Sequence, residues 1–171
     1  MEINVRTMPY LVCNEMIPIS LDKLYDEDIQ TINDLRYTLS AIINTEAPIT
    51  LNLIKVRLRE AFGVKKISDK AFDIIMRLLN EGKFPVTDNL YDKVYWPEDG
   101  IFMPKFIRIG YERQIYDIAY QELAILTKEY LNNGLNNESL YREILAYYGY
   151  SVLTNKARNY LEYVERMVKW C

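Results

Sequence analysis

Residues 49–79 read ITLNLIKVRLREAFGVKKISDKAFDIIMRLL, and residues 135–165 read LNNESLYREILAYYGYSVLTNKARNYLEYVE. Laid over one another at an offset of 86, Ile54 meets Leu140, Leu58 meets Ile144 and Phe62 meets Tyr148. Gly63 then meets Gly149, Ser68 meets Thr154, Lys70-Ala71 meets Lys156-Ala157, and Ile75 meets Leu161. The shared positions are apolar residues at helical spacing and residues that cap or stop helices. Such a repeat marks one small unit used twice.

Working outward, Thr50 is the expected N-cap of a helix with Leu51, Ile54, Leu58, Ala61 and Phe62 on one face. Gly63 stops that helix where a positive φ is needed. Ser68 caps the next helix, whose inward residues are Ala71, Phe72, Ile74, Ile75, Leu78 and Leu79, and Gly82 closes it. Upstream, Asp26 is expected to cap a helix from about Glu27 to Thr45. It stops at Ala47-Pro48, because a residue before proline is pushed out of the helical region. Downstream, Lys83–Val86 and Tyr91–Trp96 read as strands around a turn at Thr87-Asp88-Asn89. Helix, helix, helix, hairpin is the order of a winged-helix unit, in which the third helix and the hairpin face nucleic acid.

A second unit is read from Glu112. A long helix ends at Asn133-Gly134, a second stops at Gly149, and a third is capped by Thr154. No hairpin is read after it, so this unit is taken as wingless. The fold class is therefore mostly α with a small β wing, as two tandem winged-helix-like three-helix units. The expected boundaries are an N-terminal arm or strand over 1–25, a first unit over 26–100, a connector with a short strand over 101–111, and a second unit over 112–171.

Composition is that of a folded globular protein, with 50% hydrophobic and 26% charged residues. The net charge of −3 hides a gradient. Residues 1–50 hold three basic and eight acidic side chains, and residues 51–83 hold eight basic and four acidic. Cys13 and Cys171 define no disulfide or metal framework and read as free thiols of a reducing compartment. Histidine is absent, which removes the commonest general base and metal ligand. No leader and no bilayer-length apolar run is read, so a cytoplasmic, non-membrane protein is expected.

Several of these residues resemble a known family: a domain of unknown function near the C-terminus of bacterial superfamily I DNA/RNA helicase-like proteins. The resemblance runs over roughly residues 25–170. It rests on Glu46-Ala47-Pro48-Ile49, on Arg57-Leu58 with Gly63, on Tyr95-Trp96-Pro97, and on Tyr148-Gly149. It implies an accessory domain of a DNA-processing protein, read here as non-catalytic and as contacting nucleic acid or a helicase-like motor through the first unit. The chain departs from the pattern in the turn Ser151-Val152-Leu153, where the family is usually basic. It also has no Gly-Lys-[Ser/Thr] phosphate loop, so the motor's ATPase activity is not carried over.

The expected nucleic-acid contacts are Lys65, Lys66, Lys70, Arg77 and Lys83, all from the first repeat. Lys70, Asp73 and Arg77 share a polar helix face, with Asp73 opposing phosphate. The alternative is a protein-interaction or assembly module with the second unit as its contact surface. That unit is rich in tyrosines, such as Tyr141, Tyr147, Tyr148, Tyr150, Tyr160 and Tyr163. Stacking of bases on those rings and simple core filling are the other uses of so many tyrosines. Glu81-Gly82-Lys83 with Asp73 has the spacing of some nuclease carboxylates, but a helix end running into a hairpin explains it better. No catalytic residue, metal site or cofactor is therefore expected.

Overall fold

A computed structural model describes residues 2–171. In chain order the elements are β1 (Thr7–Pro9), α1 (Leu21–Tyr25), α2 (Ile29–Glu46), β2 (Ile49–Thr50), α3 (Leu51–Phe62), α4 (Asp69–Glu81), β3 (Val86–Asp88), β4 (Lys93–Tyr95) and β5 (Ile107–Ile109). A 3-10 turn (Ile115–Asp117), α5 (Tyr120–Asn132), α6 (Asn137–Tyr147) and α7 (Asn155–Trp170) follow. The described chain is mostly helical, with small strands.

It forms two compact units. The first comprises Leu11–Asp88 and Asp92–Ile101; the second comprises the N-terminal segment through Tyr10, Asn89–Tyr91 and Phe102–Cys171. The segment read from sequence as one arm over 1–25 is thus divided between them, and nearly all of the connector over 101–111 belongs to the second.

In the first unit the caps lie at Thr50 and Ser68, whose hydroxyls accept from the N–H groups of Leu53 and Ala71. Gly63 adopts φ 67°, the left-handed stop. Two local expectations need correction. Asp28, not Asp26, caps α2, with its carboxylate accepting from the Thr31 N–H and hydroxyl. Residues 21–25 are helical because Ser20 caps a short turn that buries Leu24. The first hairpin strand is also shifted, to Val86–Asp88 from Lys83–Val86, while the second, Lys93–Tyr95, lies inside Tyr91–Trp96, since the turn runs from Asn89 to Asp92. A three-stranded sheet of order β2-β4-β3 is antiparallel throughout. Leu35, Leu39, Ile42, Ile54, Leu58, Ile75 and Tyr95 are among the buried core of this unit.

One ion pair lies inside that core. Glu46, at the end of α2, accepts from Arg57 Nε and Nη2 of α3, both at 2.8 Å, and from the Cys13 N–H at 3.1 Å. The Arg57 and Glu46 side chains are 1% and 0% exposed. Fork-to-fork pairing of this kind fixes the angle at which two helices meet.

In the second unit β1 and β5 form a parallel pair with Thr7 beside Ile107, Met8 beside Arg108 and Pro9 beside Ile109. The helix expected from Glu112 begins only at Tyr120, because residues 115–117 take a 3-10 turn and Ile118 and Ala119 are extended. The core of this unit holds Leu123, Leu126, Leu140, Ile144, Tyr160, Leu161 and Val164.

The offset of 86 carries through to the structure. It takes the last residue of α2, Glu46, to the last residue of α5, Asn132. It takes N-cap Thr50 to N-cap Asn136 and Ser68 to Thr154. It takes Gly63 to Gly149, which adopts φ 84°. Ile54, Leu58, Ala71 and Ile75 are buried, as are Leu140, Ile144, Ala157 and Leu161.

Candidate functional site

The positive residues of the first repeat come from three local structures. Lys65 and Lys66 sit exposed in the turn between α3 and α4, Lys70 and Arg77 lie on the exposed face of α4, and Lys83 follows the helix into the hairpin. Lys70 Nζ lies 5.0 Å above the Tyr25 ring, whose hydroxyl is 2.7 Å from Ser68 Oγ. Arg77 Nη2 pairs with Glu27 at 2.6 Å, and Glu27 sits between Asp26 and Asp28 in the turn before α2. The exposed face of α4 also presents Asp69, Asp73 and Glu81, and Glu81 pairs with Arg36 at 2.9 Å. Three carboxylates therefore accompany the two cations of that helix. Among the described residues, the strongest positive element without an ion-pair partner is the Lys65-Lys66 turn.

Asn89 and Tyr91, from the turn between β3 and β4, have partners in the second unit, to which they belong. Asn89 is buried, and its side-chain amide lies 2.9 Å from the Tyr160 hydroxyl. The Tyr91 ring lies 6.3 Å from the rings of both Tyr116 and Tyr160. Lys156 Nζ stands 3.8 Å over the Tyr116 ring and 5.2 Å over Tyr91. This lysine is the counterpart of Lys70, and in both copies the ammonium rests on an aromatic face.

The second unit's tyrosines singled out in the sequence pack in or against its core. Tyr141 and Tyr160 are buried, and Tyr147, Tyr148, Tyr150 and Tyr163 pack against the same core. The Tyr141 hydroxyl donates to Glu165, and burial followed by that hydrogen bond raises its pKa above the usual phenol value. Tyr160 also donates to the Ile118 carbonyl at 2.5 Å. Ring packing against the core engages all six, and four of them stay partly exposed.

Two acidic residues of the hairpin have structural partners. Asp92 accepts from the Asn52 N–H at 2.8 Å, and Asp88 pairs with Lys93. Among the described residues no three His, Cys, Asp or Glu side chains are grouped to hold a metal ion. No helix among them is long and apolar enough to cross a membrane.

Sequence spacing does not single out one further feature. In the second unit Phe102, Met103 and Phe106 are 45%, 64% and 39% exposed, and Met8 and Ile109 of the β1–β5 pair are exposed as well. Large apolar side chains gathered at the surface mark contact sites more often than single exposed ones do. The signal is present as IFMPKFIRIG, but a strand that buries alternate residues gives the same pattern.

Comparison with protein-family models, with curated proteins and with solved structures finds no match to this chain.

Proposed function

We propose that the chain is a non-catalytic accessory module of a helicase-like DNA-processing protein, acting in the cytoplasm by docking to a partner protein. The helicase-like motor is the partner that the sequence resemblance implies. The first unit is read as winged-helix-like and the second as its wingless relative. Support for that fold reading comes from the order α2-β2-α3-α4-β3-β4 and the sheet order β2-β4-β3. The quoted family positions Glu46 and Arg57 are also the two halves of the buried pair.

The observation that carries docking is the exposed apolar group Phe102, Met103 and Phe106. Burying such side chains on association is favourable at about 25 cal/mol per Å² of apolar surface, before the costs of association. A chemical cross-linking experiment between the chain and a helicase-like motor protein tests this. Cross-links centred on residues 102–106, and lost in Phe102→Ser plus Met103→Ser, are expected. Cross-linking that is unchanged by the double substitution overturns the reading.

A second reading keeps nucleic acid as the ligand. It is favoured by Lys65 and Lys66, adjacent, exposed and without a carboxylate within ion-pair distance among the described residues. Labelled DNA titrated at low and high salt separates the two. Salt-sensitive affinity that falls when Lys65, Lys66 and Lys70 become alanine supports nucleic-acid contact.

A further inference from the structure

The two edges of the parallel β1–β5 pair are treated differently. The Ile107 N–H donates to the Arg6 carbonyl at 2.9 Å, and the Tyr10 N–H donates to the Ile109 carbonyl at 2.7 Å. In that register β1 pairs through Arg6, Met8 and Tyr10. On β5 the alternate residue, Arg108, turns its backbone the other way. There its N–H donates to Glu122 Oε1 at 2.9 Å, and its carbonyl accepts from Arg113 Nη2 at 2.7 Å. Arg113 and Glu122 are themselves paired at 2.8 Å. The side-chain pair thus takes the place of a neighbouring strand and seals the β5 edge.

Among the described residues nothing does the same for β1. Thr7 lies one residue out of phase with the pairing positions, so its N–H and carbonyl point away from β5, and Thr7, Met8 and Pro9 are all exposed. Pro9 adds a carbonyl but no N–H to that edge. An exposed strand edge is a template for an incoming strand. The neighbouring surface indicates which strand. Pro9 and Ile109, on one face of the pair, offer apolar contact, while Arg6 and Met8 lie on the other. Arg6 and Lys105 are exposed cations with no carboxylate at ion-pair distance among the described residues. Proline at an edge is a device against open-ended pairing, which argues for a short heterologous segment and against a second copy of this chain.

We propose that the β1 edge accepts a short extended segment of the partner protein, alternating apolar and acidic residues, which pairs through the backbone of Thr7 and the carbonyl of Pro9. The inference rests on the docking reading above and specifies its mode. Apolar side chains of the segment lie on the face of Pro9 and Ile109, and its carboxylates lie on the opposite face, beside Arg6.

The test is an NMR titration of the full chain with a labelled peptide, acetyl-Glu-Val-Asp-Val-Glu-Ile-amide, together with its copy N-methylated at alternate residues and its copy with lysines for the acids. Amide shifts grouped at residues 6–10 and 105–109 are expected for the first peptide, with at least a tenfold loss of affinity for each of the other two. Thr7→Pro, which removes the outward N–H and leaves the β1–β5 bonds, should weaken binding by a similar factor, and Thr7→Ala should not. The N-methyl arm uses the unaltered protein, so it decides even if Thr7→Pro misfolds. Binding indifferent to N-methylation overturns strand addition. If that binding is still lost in Phe102→Ser plus Met103→Ser, docking survives without it. Absence of any binding overturns strand addition, and leaves the docking reading to the motor cross-linking. Concentration-dependent shifts at Thr7 without peptide point to self-pairing and also overturn the proposal.

Discussion

Glu46 and Arg57 meet through two parallel 2.8 Å hydrogen bonds in a place where neither reaches solvent. The pair joins the C-terminal end of α2 to the middle of α3, and the Cys13 N–H also donates to the carboxylate. Removing one partner leaves an uncompensated charge in the core, which costs about 3–5 kcal/mol. Glu46→Gln and Arg57→Met are each expected to lower the stability of the first unit by about that much in denaturant unfolding. The double variant, which leaves no orphan charge, is expected to lose less than the sum. Additive losses would show that the two side chains act independently.

That pair also marks the limit of what the sequence discloses. Helix spacing, the caps Thr50, Ser68 and Thr154 and the stop at Gly63 depend on neighbours within a turn, so they are legible as a local pattern. The identity of Glu46's partner depends on how α3 crosses α2, which no local pattern encodes. The same holds for Glu122, whose partners Arg108 and Arg113 lie across a strand and a loop. The candidate site is legible unevenly for a related reason. The positions of Lys65, Lys66 and Lys70 on turn and helix follow from local pattern, but the pairing of Arg77 with Glu27 does not. Of the tyrosines read as a contact surface, Tyr141 and Tyr160 fill the core and the others lie at its edge, a division the sequence does not mark because a phenol's chemistry suits both places.

Glu122 sets an acid limit on the second unit. Burial raises its pKa, but Arg113 and then Arg108 outweigh burial and hold the carboxyl below its ordinary value of 4.5. A carboxyl depressed on folding contributes stability above its unfolded pKa and loses it as pH falls through the folded value. Wild type should therefore lose stability progressively below about pH 4.5. Glu122→Gln should be less stable at neutral pH, and its deficit relative to wild type should shrink as the pH is lowered. Chemical denaturation at several pH values reads both. A deficit that grows on acidification would reverse the assignment.

Tyr160 tests how much the interior hydroxyls matter. Its ring is fully buried; its O–H donates to the Ile118 carbonyl, and its oxygen lies beside the Asn89 side-chain amide. Tyr160→Phe keeps the ring, leaves the buried Ile118 carbonyl short of its donor and takes the Asn89 amide's partner away, which costs about 1–3 kcal/mol. Tyr150→Phe removes a bond to the Arg113 carbonyl from a partly exposed group, where water can substitute, so a smaller loss is expected. Thermal unfolding of the two variants ranks them. A larger loss for Tyr150→Phe would mean that water does not reach that site.

Gly63 and Gly149 give the most direct test that the repeat is physical. Both adopt left-handed backbone, at φ 67° and 84°, and a Cβ at either would meet nothing within 4 Å. Alanine there adds strain without a clash, a cost of roughly 1–2 kcal/mol set by chirality alone. Gly63→Ala and Gly149→Ala should therefore destabilise their units by similar amounts, although the side chains around them differ. Asparagine, which tolerates this conformation better, should recover part of the loss at both sites. Gly82 is the control: its φ is an ordinary −68°, but an added Cβ would lie 2.9 Å from the Phe84 ring. Its cost depends on whether that ring can move, and asparagine should give no recovery there. If Gly63 and Gly149 respond differently to the alanine and asparagine pair, the two stops do not share one backbone origin, and the offset of 86 loses its strongest structural match.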